Sequence, residues 1–539
     1  MKTIVAGALG ECVHVAGVFR FLQLAEKAGW RTVFLGPAVN VDTFIETARS
    51  ENADLVGVSY RLTPETGERL LAEFSESADE LREQGTRFVF GGTPPVAARA
   101  KALGFFERVF DGSEPVEDLI AYLRGDASDL NQESQYPQNV IDRISWKSPY
   151  PLLRHHFGLP EMEVTRQGID EISKARVLDV ISLGTDQDAQ ENFFHPERQN
   201  PRKRGAGGVP IRSESDLRML KEASGTGNYP LMRAYSGTDD FIRMAEVLVN
   251  TIQNAWCAIP LYWFNRMDGR GPYDLKDSIM HHQEVMAWYG ARNIPVEINE
   301  PHHWGMRDAP DVIYVVSAYL SAINAKAFGV KDYIAQLMLN CPPQVSDAME
   351  LAKMLAVLEM IQPLESTDFR IWRQTRTGLL SYPLEPAAAR AHLSASIYLQ
   401  MVLKPHIIHV VSYTEADHAA TAEDVIESCR MAQRVIHTAL NGQADMTLDP
   451  TLIRRKEHLV QQARVTLKAI KNLASEKDAF TDAILLEKAV KEGLLDAPQL
   501  KGSPFAQGRI RAGMNHGGWD AMDGNSQPLL EEERLKDWL

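Results

Sequence analysis

The sequence has few cysteines, no long apolar run and no excess of positive charge. Its four cysteines are widely separated, which excludes both a disulfide framework and a zinc-ligand spacing. No apolar run reaches the roughly eighteen residues of a membrane span, so no membrane contact is expected. Acidic residues number 72 against 57 Lys and Arg, and the two signs are interspersed, which argues against a nucleic-acid surface. Because the chain begins with an apolar strand rather than a signal peptide, we expect a cytoplasmic protein.

The length and the alternation of apolar runs predict at least two α/β domains. A chain of 539 residues with 44% hydrophobic content can build two cores, one of them large. Residues 1–125 contain five short apolar runs separated by amphipathic helical segments: TIVAGAL, RTVFLG, ADLVGVSY, TRFVFGG and RVFDGS. This pattern predicts a five-stranded doubly wound sheet of the flavodoxin-like, or Rossmann-like, type, in which ligands bind at the carboxyl ends of the strands.

Two common uses of such a sheet do not fit the residues at those ends. A phospho-receiver domain needs an aspartate after the third strand, where this chain has Ser59. A dinucleotide-binding domain needs G-x-G-x-x-G after the first strand, and GALGECVHVAG does not supply it.

The loop GECVHVAG, from Gly10 to Gly17, resembles the D-x-H-x-x-G loop of cobalamin-binding domains. The resemblance implies that His14 is the lower axial ligand of the cobalt, and that Gly17 leaves room for the nucleotide tail of the cofactor. Further expected cofactor contacts lie at the next strand ends, at Ser59, Thr63, Gly91 and Gly92.

The chain departs from the family at Cys12, which stands where the family has an aspartate that orients the ligating imidazole. A thiol is a weak hydrogen-bond partner. Either Glu11 or a water replaces the aspartate, or the cobalt bond is softer.

The remaining chain predicts a linker at 126–160, a (β/α)8 TIM barrel at 161–449 and a helical extension at 450–539. Eight candidate strands alternate with helical stretches over the barrel region, which is the pattern of that fold. The candidate strands are EMEVTR, VLDVISLGT, YPLMRA, AWCAIPLY, PVEINEP, KDYIAQLML, FRIWRQT and IIHVVSYT.

The barrel region and tail resemble the large subunit of glutamate mutase, and the N-terminal region resembles its small cobalamin-binding subunit fused ahead of it. The blocks that carry this resemblance are INEPHHW, AFGVKDYIAQLMLN, GGVPIRSESDLRMLKEA and KAVKEGLLDAPQLKGSPFAQG. The resemblance implies an adenosylcobalamin-dependent radical isomerase, a carbon-skeleton mutase, acting on a small carboxylic acid.

Position by position, the resemblance carries over two substrate arginines and loses several other groups. Arg166, in the first candidate strand, and Arg233, in the third, match arginines that face the substrate carboxylate. A third substrate arginine falls on Gln190, and the general-base glutamate falls near Ala258. Glu415 or Ala416 falls where the family holds the adenosyl ribose, and Asn265 is a further expected substrate contact.

These replacements predict an acid other than glutamate, either a monocarboxylate or an acid with a neutral second end. Glu300, His302 and His303 are then the candidate catalytic groups, because a histidine pair can move protons near neutral pH. Adjacent histidines on an irregular loop should point apart, which disfavours a shared metal. His281 and His282 are expected on a helix, solvated.

Two other functions remain open from the sequence. Corrinoid-dependent methyl transfer uses the same cofactor domain, usually preceded by a helical module that is absent before this first strand. A cobalamin sensor or carrier without catalysis would explain the lost base. We also expect a homodimer.

Overall fold

The computed structural model describes residues 2–125, 135–474 and 478–539, which divide into two compact units at Leu130 and Asn131. The expected linker therefore lies partly outside the described residues, at 126–134. None of the helices in the described ranges has the length and apolar character needed to cross a membrane.

The first unit is a five-stranded parallel sheet with helices between its strands. Its strand order is β2-β1-β3-β4-β5, as in a doubly wound fold. Five phenylalanines, at 44, 74, 88, 105 and 106, pack ring against ring in its core. The elements are β1 (Thr3–Leu9), α1 (Ala16–Lys27), β2 (Arg31–Val39), α2 (Val41–Ser50), β3 (Leu55–Tyr60), α3 (Pro64–Glu83), β4 (Arg87–Gly92), α4 (Pro94–Leu103), β5 (Arg108–Phe110) and α5 (Val116–Arg124).

The second unit is built on eight parallel strands in the order β8-β7-β6-β13-β12-β11-β10-β9, a nearly closed barrel. Backbone hydrogen bonds from Ala255 to Met232 and from Ser236 to Ala258 bridge the two ends of this sheet. The strands are β6 (Leu152–Phe157), β7 (Val180–Leu183), β8 (Leu231–Arg233), β9 (Cys257–Ile259), β10 (Val296–Ile298), β11 (Asp332–Leu339), β12 (Arg370–Thr377) and β13 (Ile407–His409).

Helices connect these strands. They are α6 (Val140–Lys147), α7 (Met162–Lys174), α8 (Gln187–Glu191), α9 (Glu214–Ala223), α10 (Phe241–Ile252), α11 (Leu275–Gly290), α12 (Glu300–Gly305), α13 (Asp311–Ala327), α14 (Asp347–Ile361), α15 (Pro386–Gln400) and α16 (Ala422–Leu440). The predicted fold class, a flavodoxin-like domain followed by a (β/α)8 barrel, is confirmed.

The first predicted barrel strand is wrong. EMEVTR lies in helix α7, whose buried residues Thr165, Ile169 and Ile172 recur at helical spacing. The first strand is instead LLRHHF, within the segment expected as linker, and α6 precedes it. Its inward side chains are polar, so the sequence shows no apolar run there.

The C-terminal extension is helical only in part. It contains α17 (Pro450–Lys471), α18 (Ala483–Lys491) and α19 (Glu531–Arg534), together with an antiparallel hairpin of β14 (Arg511–Asn515) and β15 (Gly518–Met522). A buried ion network joins it to the barrel helices. Asp311, at the start of α13, pairs with Lys353 on α14 and with Arg455 on α17 at 3.1 and 2.8 Å.

Candidate functional site

The loop after β1 exposes His14 at the carboxyl edge of the first sheet. Its neighbour Val13 exposes 62% of its surface, whereas Cys12 is buried and held by backbone bonds to Leu9 and Ala38. The Cys12 Sγ lies 3.9 Å from His14 Nδ1, a distance that fits only a weak sulfur contact. The imidazole is therefore accessible to a ligand and only loosely oriented by the protein.

The other predicted cofactor contacts share this edge. Strand register places Ala8 beside Ser59, and Ser59 beside Gly91. Thr63 is exposed at the start of α3 and makes no side-chain cap. Space also exists for a bound group, because a Cβ added at Gly17 or Gly91 would meet no atom within 4 Å.

Glycine at position 92 is also needed for the packing of the sheet. A Cβ there would lie 2.7 Å from the Tyr60 carbonyl oxygen, so the close approach of β3 and β4 requires glycine. Taken together, an accessible histidine and open glycine edges fit a corrin held through His14.

The interior of the barrel contains a polar network centred on Arg154 of β6. This fully buried side chain donates to Ser182 Oγ, Gln374 Oε1 and Glu297 Oε2 at 2.8, 2.9 and 3.3 Å. Burial alone would raise the pKa of Glu297, but the guanidiniums of Arg154 and Arg233 lower it on balance. Glu297 is therefore ionised and engaged within the protein.

Arg233, the last residue of β8, is the predicted substrate arginine that lies inside the barrel. It is fully buried, and its Nε donates to Ser182 Oγ at 2.9 Å. Its Nη1 and Nη2 atoms have no hydrogen-bond partner among the described residues. The guanidinium lies over the Tyr235 ring, 4.8 Å from the ring centroid. Two nitrogens of the guanidinium are therefore buried without a hydrogen-bond acceptor among the described residues.

The predicted catalytic cluster lies on a short helix, α12, rather than on an irregular loop. The expectation that His302 and His303 point apart is wrong, because their ring centroids are 4.4 Å apart. Both histidines are buried. Neither ring nitrogen of His303 has a hydrogen-bond partner in the part of the chain that the structure describes.

Glu300, at the start of α12, is already fully engaged. Its Oε2 accepts from the backbone N–H groups of Leu261 and Tyr262, and its Oε1 accepts from Trp304 Nε1 at 2.7 Å. Burial raises its pKa to about 7, although these donors act in the opposite direction. Glu300 therefore positions α12 and the loop after β9, and it has little capacity left for a substrate.

The histidines inside the barrel are held in their neutral form. Burial, and then the Arg154, Arg233 and Arg376 guanidiniums, keep the pKa of His156 well below its ordinary value. The pKa values of His302, His303 and His409 are lowered in the same direction, with burial as the largest cause in each case. The interior therefore offers neutral imidazoles that can donate or accept hydrogen bonds.

The remaining predicted site residues are not brought together. Arg166 lies on α7, partly exposed and paired with Glu163, so its placement at a strand end is wrong. Asn265 is buried but uses its amide within its own loop, bonding Tyr262 O and Met267 N. Gln190 bonds Thr185 O at 3.1 Å, and Glu415 lies 3.1 Å from His155 Nε2.

His282 also differs from expectation. It is fully buried on α11 rather than solvated, and burial lowers its pKa to about 4.

The sequence-based analysis missed Arg154 and His156 on β6, Arg376 on β12 and His409 on β13. Each lies on a barrel strand, where alternate residues face inward. The available signal was the i, i+2 spacing of polar residues in LLRHHF and in RIWRQTRT.

Comparison with known proteins supports the assignment of the first unit. Residues 2–120 match the B12 binding domain family. Glutamate mutase sigma subunit 1 of Haloarcula marismortui is 29% identical over 25% of this chain and 91% of the relative. The glutamate mutase sigma subunit of Clostridium tetanomorphum is 30% identical over 23% of this chain and 93% of the relative.

A corrinoid protein also matches. Dimethylamine corrinoid protein 3 of Methanosarcina mazei is 29% identical over 22% of this chain and 74% of the relative. These matches concern the first unit and leave the reaction open. Through residues 2–120, the chain belongs to the family of B12-binding domains that includes the glutamate mutase sigma subunits.

Proposed function

We propose that this protein is a cobalamin-dependent carbon-skeleton mutase that uses adenosylcobalamin and acts on a small carboxylic acid other than glutamate. The observation that carries the proposal is the Arg233 guanidinium, fully buried with two nitrogens unpartnered among the described residues. Because a buried cation without a hydrogen-bonded partner is costly, an anionic ligand would stabilise this site. A carboxylate suits the planar fork of an arginine.

In this proposal, separate residues would bind the cofactor and the substrate. His14 would hold the cobalt, and the open edges at Gly17 and Gly91 would accommodate the corrin and its tail. Bound adenosylcobalamin would supply the radical chemistry. Arg233 would bind and orient the substrate carboxylate, and the barrel wall would exclude water. His303, with both ring nitrogens free, is the best-placed member of the predicted catalytic group to contact the substrate.

Glutamate is disfavoured because its ammonium group lacks an available carboxylate in this interior. Glu297 is engaged with Arg154 and with Trp256 Nε1, the latter at 2.7 Å, and Glu300 is engaged with three N–H donors. The position of the general base in glutamate mutase falls near Ala258, which is buried on β9.

The test is turnover by the full chain loaded with adenosylcobalamin and given a panel of small acids. We expect NMR to detect a branched isomer of at least one acid. Arg233→Gln should abolish this product, and Arg166→Gln should retain it, because Arg166 lies outside the barrel interior. Absence of a rearranged product from every acid, or equal loss in both variants, contradicts the proposal.

Methyl transfer is the second candidate, and the relation to a dimethylamine corrinoid protein favours it. Loading the protein with methylcobalamin distinguishes the two. Transfer of the methyl group to an added acceptor, without any acid isomerisation, would support this candidate over the mutase.

A further inference from the structure

Arg376 is a second arginine of the barrel strands that has no ion-pair partner in the part of the chain that the structure describes. Its Nε is buried and has no hydrogen-bond partner among the described residues, although the residue as a whole is only half-buried. Its neighbours on β12 show which face of the strand its side chain occupies. Gln374, two residues earlier on β12, bonds Arg154 and Gln336 inside the barrel, at 2.9 Å in each case. Thr377 faces the opposite side and bonds Ser396 on α15. Arg376 therefore shares the inward face with Gln374.

The barrel places Arg376 across from Arg233. Strands β7, β6 and β13 separate β8 from β12 on one side, and β11, β10 and β9 separate them on the other. The two arginines thus come from opposite walls of a nearly closed barrel. The charge of Arg376 also reaches the interior, because it contributes, after burial, to the lowered pKa of His302 on α12.

Three guanidiniums, those of Arg154, Arg233 and Arg376, act on the groups inside the barrel. Glu297 offsets Arg154, with which it is paired. Neither Arg233 nor Arg376 forms an ion pair among the described residues, although Arg233 also lowers the pKa of Glu297, and the four interior histidines are held in their neutral form. A ligand that compensates both guanidiniums needs two negative charges, one at each end.

We infer that the substrate is a small diacid without an ammonium group, with one carboxylate on Arg233 and the other on Arg376. This differs from the sequence-based expectation of a neutral second end. That expectation considered the replacement of a substrate arginine by Gln190, but it did not include Arg376. The inference rests on the proposed function, because it takes the barrel interior as the substrate site.

Three probes of equal chain length test this inference by calorimetry on the cobalamin-loaded full chain. Glutarate has two carboxylates, glutaramate replaces one with a neutral amide, and glutamate adds an ammonium group. We expect glutarate to bind at least about tenfold more tightly than either of the others, since one hydrogen-bonded charge is worth a factor of ten or more.

Substitutions of the two arginines test which carboxylate of the ligand each arginine binds. Arg376→Gln should lower the affinity for glutarate by about 10- to 100-fold, to that of glutaramate. The same substitution should change the affinity for glutaramate by no more than about threefold. Arg376→Lys should retain part of the preference for the diacid. Arg233→Gln should weaken the binding of both ligands, and the control Arg166→Gln, on helix α7 outside the barrel interior, should change the binding of neither.

The outcomes separate this inference from the proposed function. Equal affinities for glutarate and glutaramate, or equal effects of Arg376→Gln on both, overturn the diacid inference and leave a monoacid mutase possible. Diacid preference without turnover supports the inference and contradicts the mutase. Failure of all three probes to bind overturns the inference and the carboxylic-acid site together.

Discussion

At the scale of single residues, the pair Cys12 and His14 distinguishes this cofactor loop from its family. The Cys12 thiol lies 3.9 Å from the imidazole, where a carboxylate would accept a short hydrogen bond. We predict that Cys12→Asp strengthens the bond from His14 to cobalt and raises cobalamin affinity by about 10- to 100-fold. Binding titrations and EPR of the protein loaded with cob(II)alamin measure this.

The control is His14→Ala, which should remove the nitrogen coupling from the EPR spectrum. If Cys12→Asp leaves affinity and spectrum unchanged, then Glu11 or a water already orients the imidazole.

Glu300 should make stability depend on pH between about 5 and 8. Burial raises its pKa from 4.5 to about 7, so the folded protein binds a proton more tightly than the unfolded chain. Its contribution is fully present below about pH 4.5 and is lost as the pH rises through about 7, a change of about 3 kcal/mol. We predict that melting temperature falls more over this range in the wild type than in Glu300→Gln. Parallel curves would contradict this assignment.

Sequence placed the expected cofactor residues at the sheet edge, but it did not place the barrel residues. Ser59 and Gly91 lie at the ends of apolar strands and His14 lies in the loop after one, so a local pattern is enough to locate them. Arg154 and Arg376 instead lie within strands, and their role depends on which face of each strand turns inward. That depends on the pairing of eight distant segments, which no local pattern records.

At the scale of elements, the buried ion network should hold the C-terminal extension on the barrel. Asp311 pairs with Lys353 and Arg455, and its removal would leave both cations poorly compensated. We predict that Asp311→Ala lowers the melting temperature by about 5 °C or more, since breaking a buried pair costs about 3–5 kcal/mol. Thermal unfolding followed by circular dichroism measures this.

The matched control is Asp277→Ala on α11, because its pair with Lys276 is exposed. Exposed ion pairs contribute little to stability, so the melting temperature of the control should remain near that of the wild type. A similar small effect of both substitutions would show that the network does not stabilise this contact.

Helix α7 shows why the first strand was misplaced. EMEVTR has alternating apolar residues, yet Val164 is exposed and Gly168 packs against the Phe157 ring, where a Cβ would lie 2.4 Å from it. The alternation is incidental to a helix whose buried face recurs at three- and four-residue spacing. The strand it packs on, β6, has a polar inward face and so lacks the expected hydrophobic signature.

At the scale of the whole molecule, the order of elements was predictable and the chemistry was less so. Alternating strands and helices specify both parallel folds, because parallel strands require crossover connections. Six of the eight predicted barrel segments contain an observed strand, and a seventh, FRIWRQT, overlaps β12 but ends before it. The pairing that leaves Arg233 and Arg376 without carboxylates emerged only from the assembled barrel.

The central claim is that the chain moves hydrogen between adenosylcobalamin and a small acid. The most direct measurement uses adenosylcobalamin tritiated at the 5′ carbon, incubated with the full chain and glutarate or a related acid. We expect tritium in the acid and its branched isomer, at a rate that Arg233→Gln abolishes and Arg166→Gln does not. If the tritium stays with the cofactor in the presence of every acid, the chain is not a mutase of this kind.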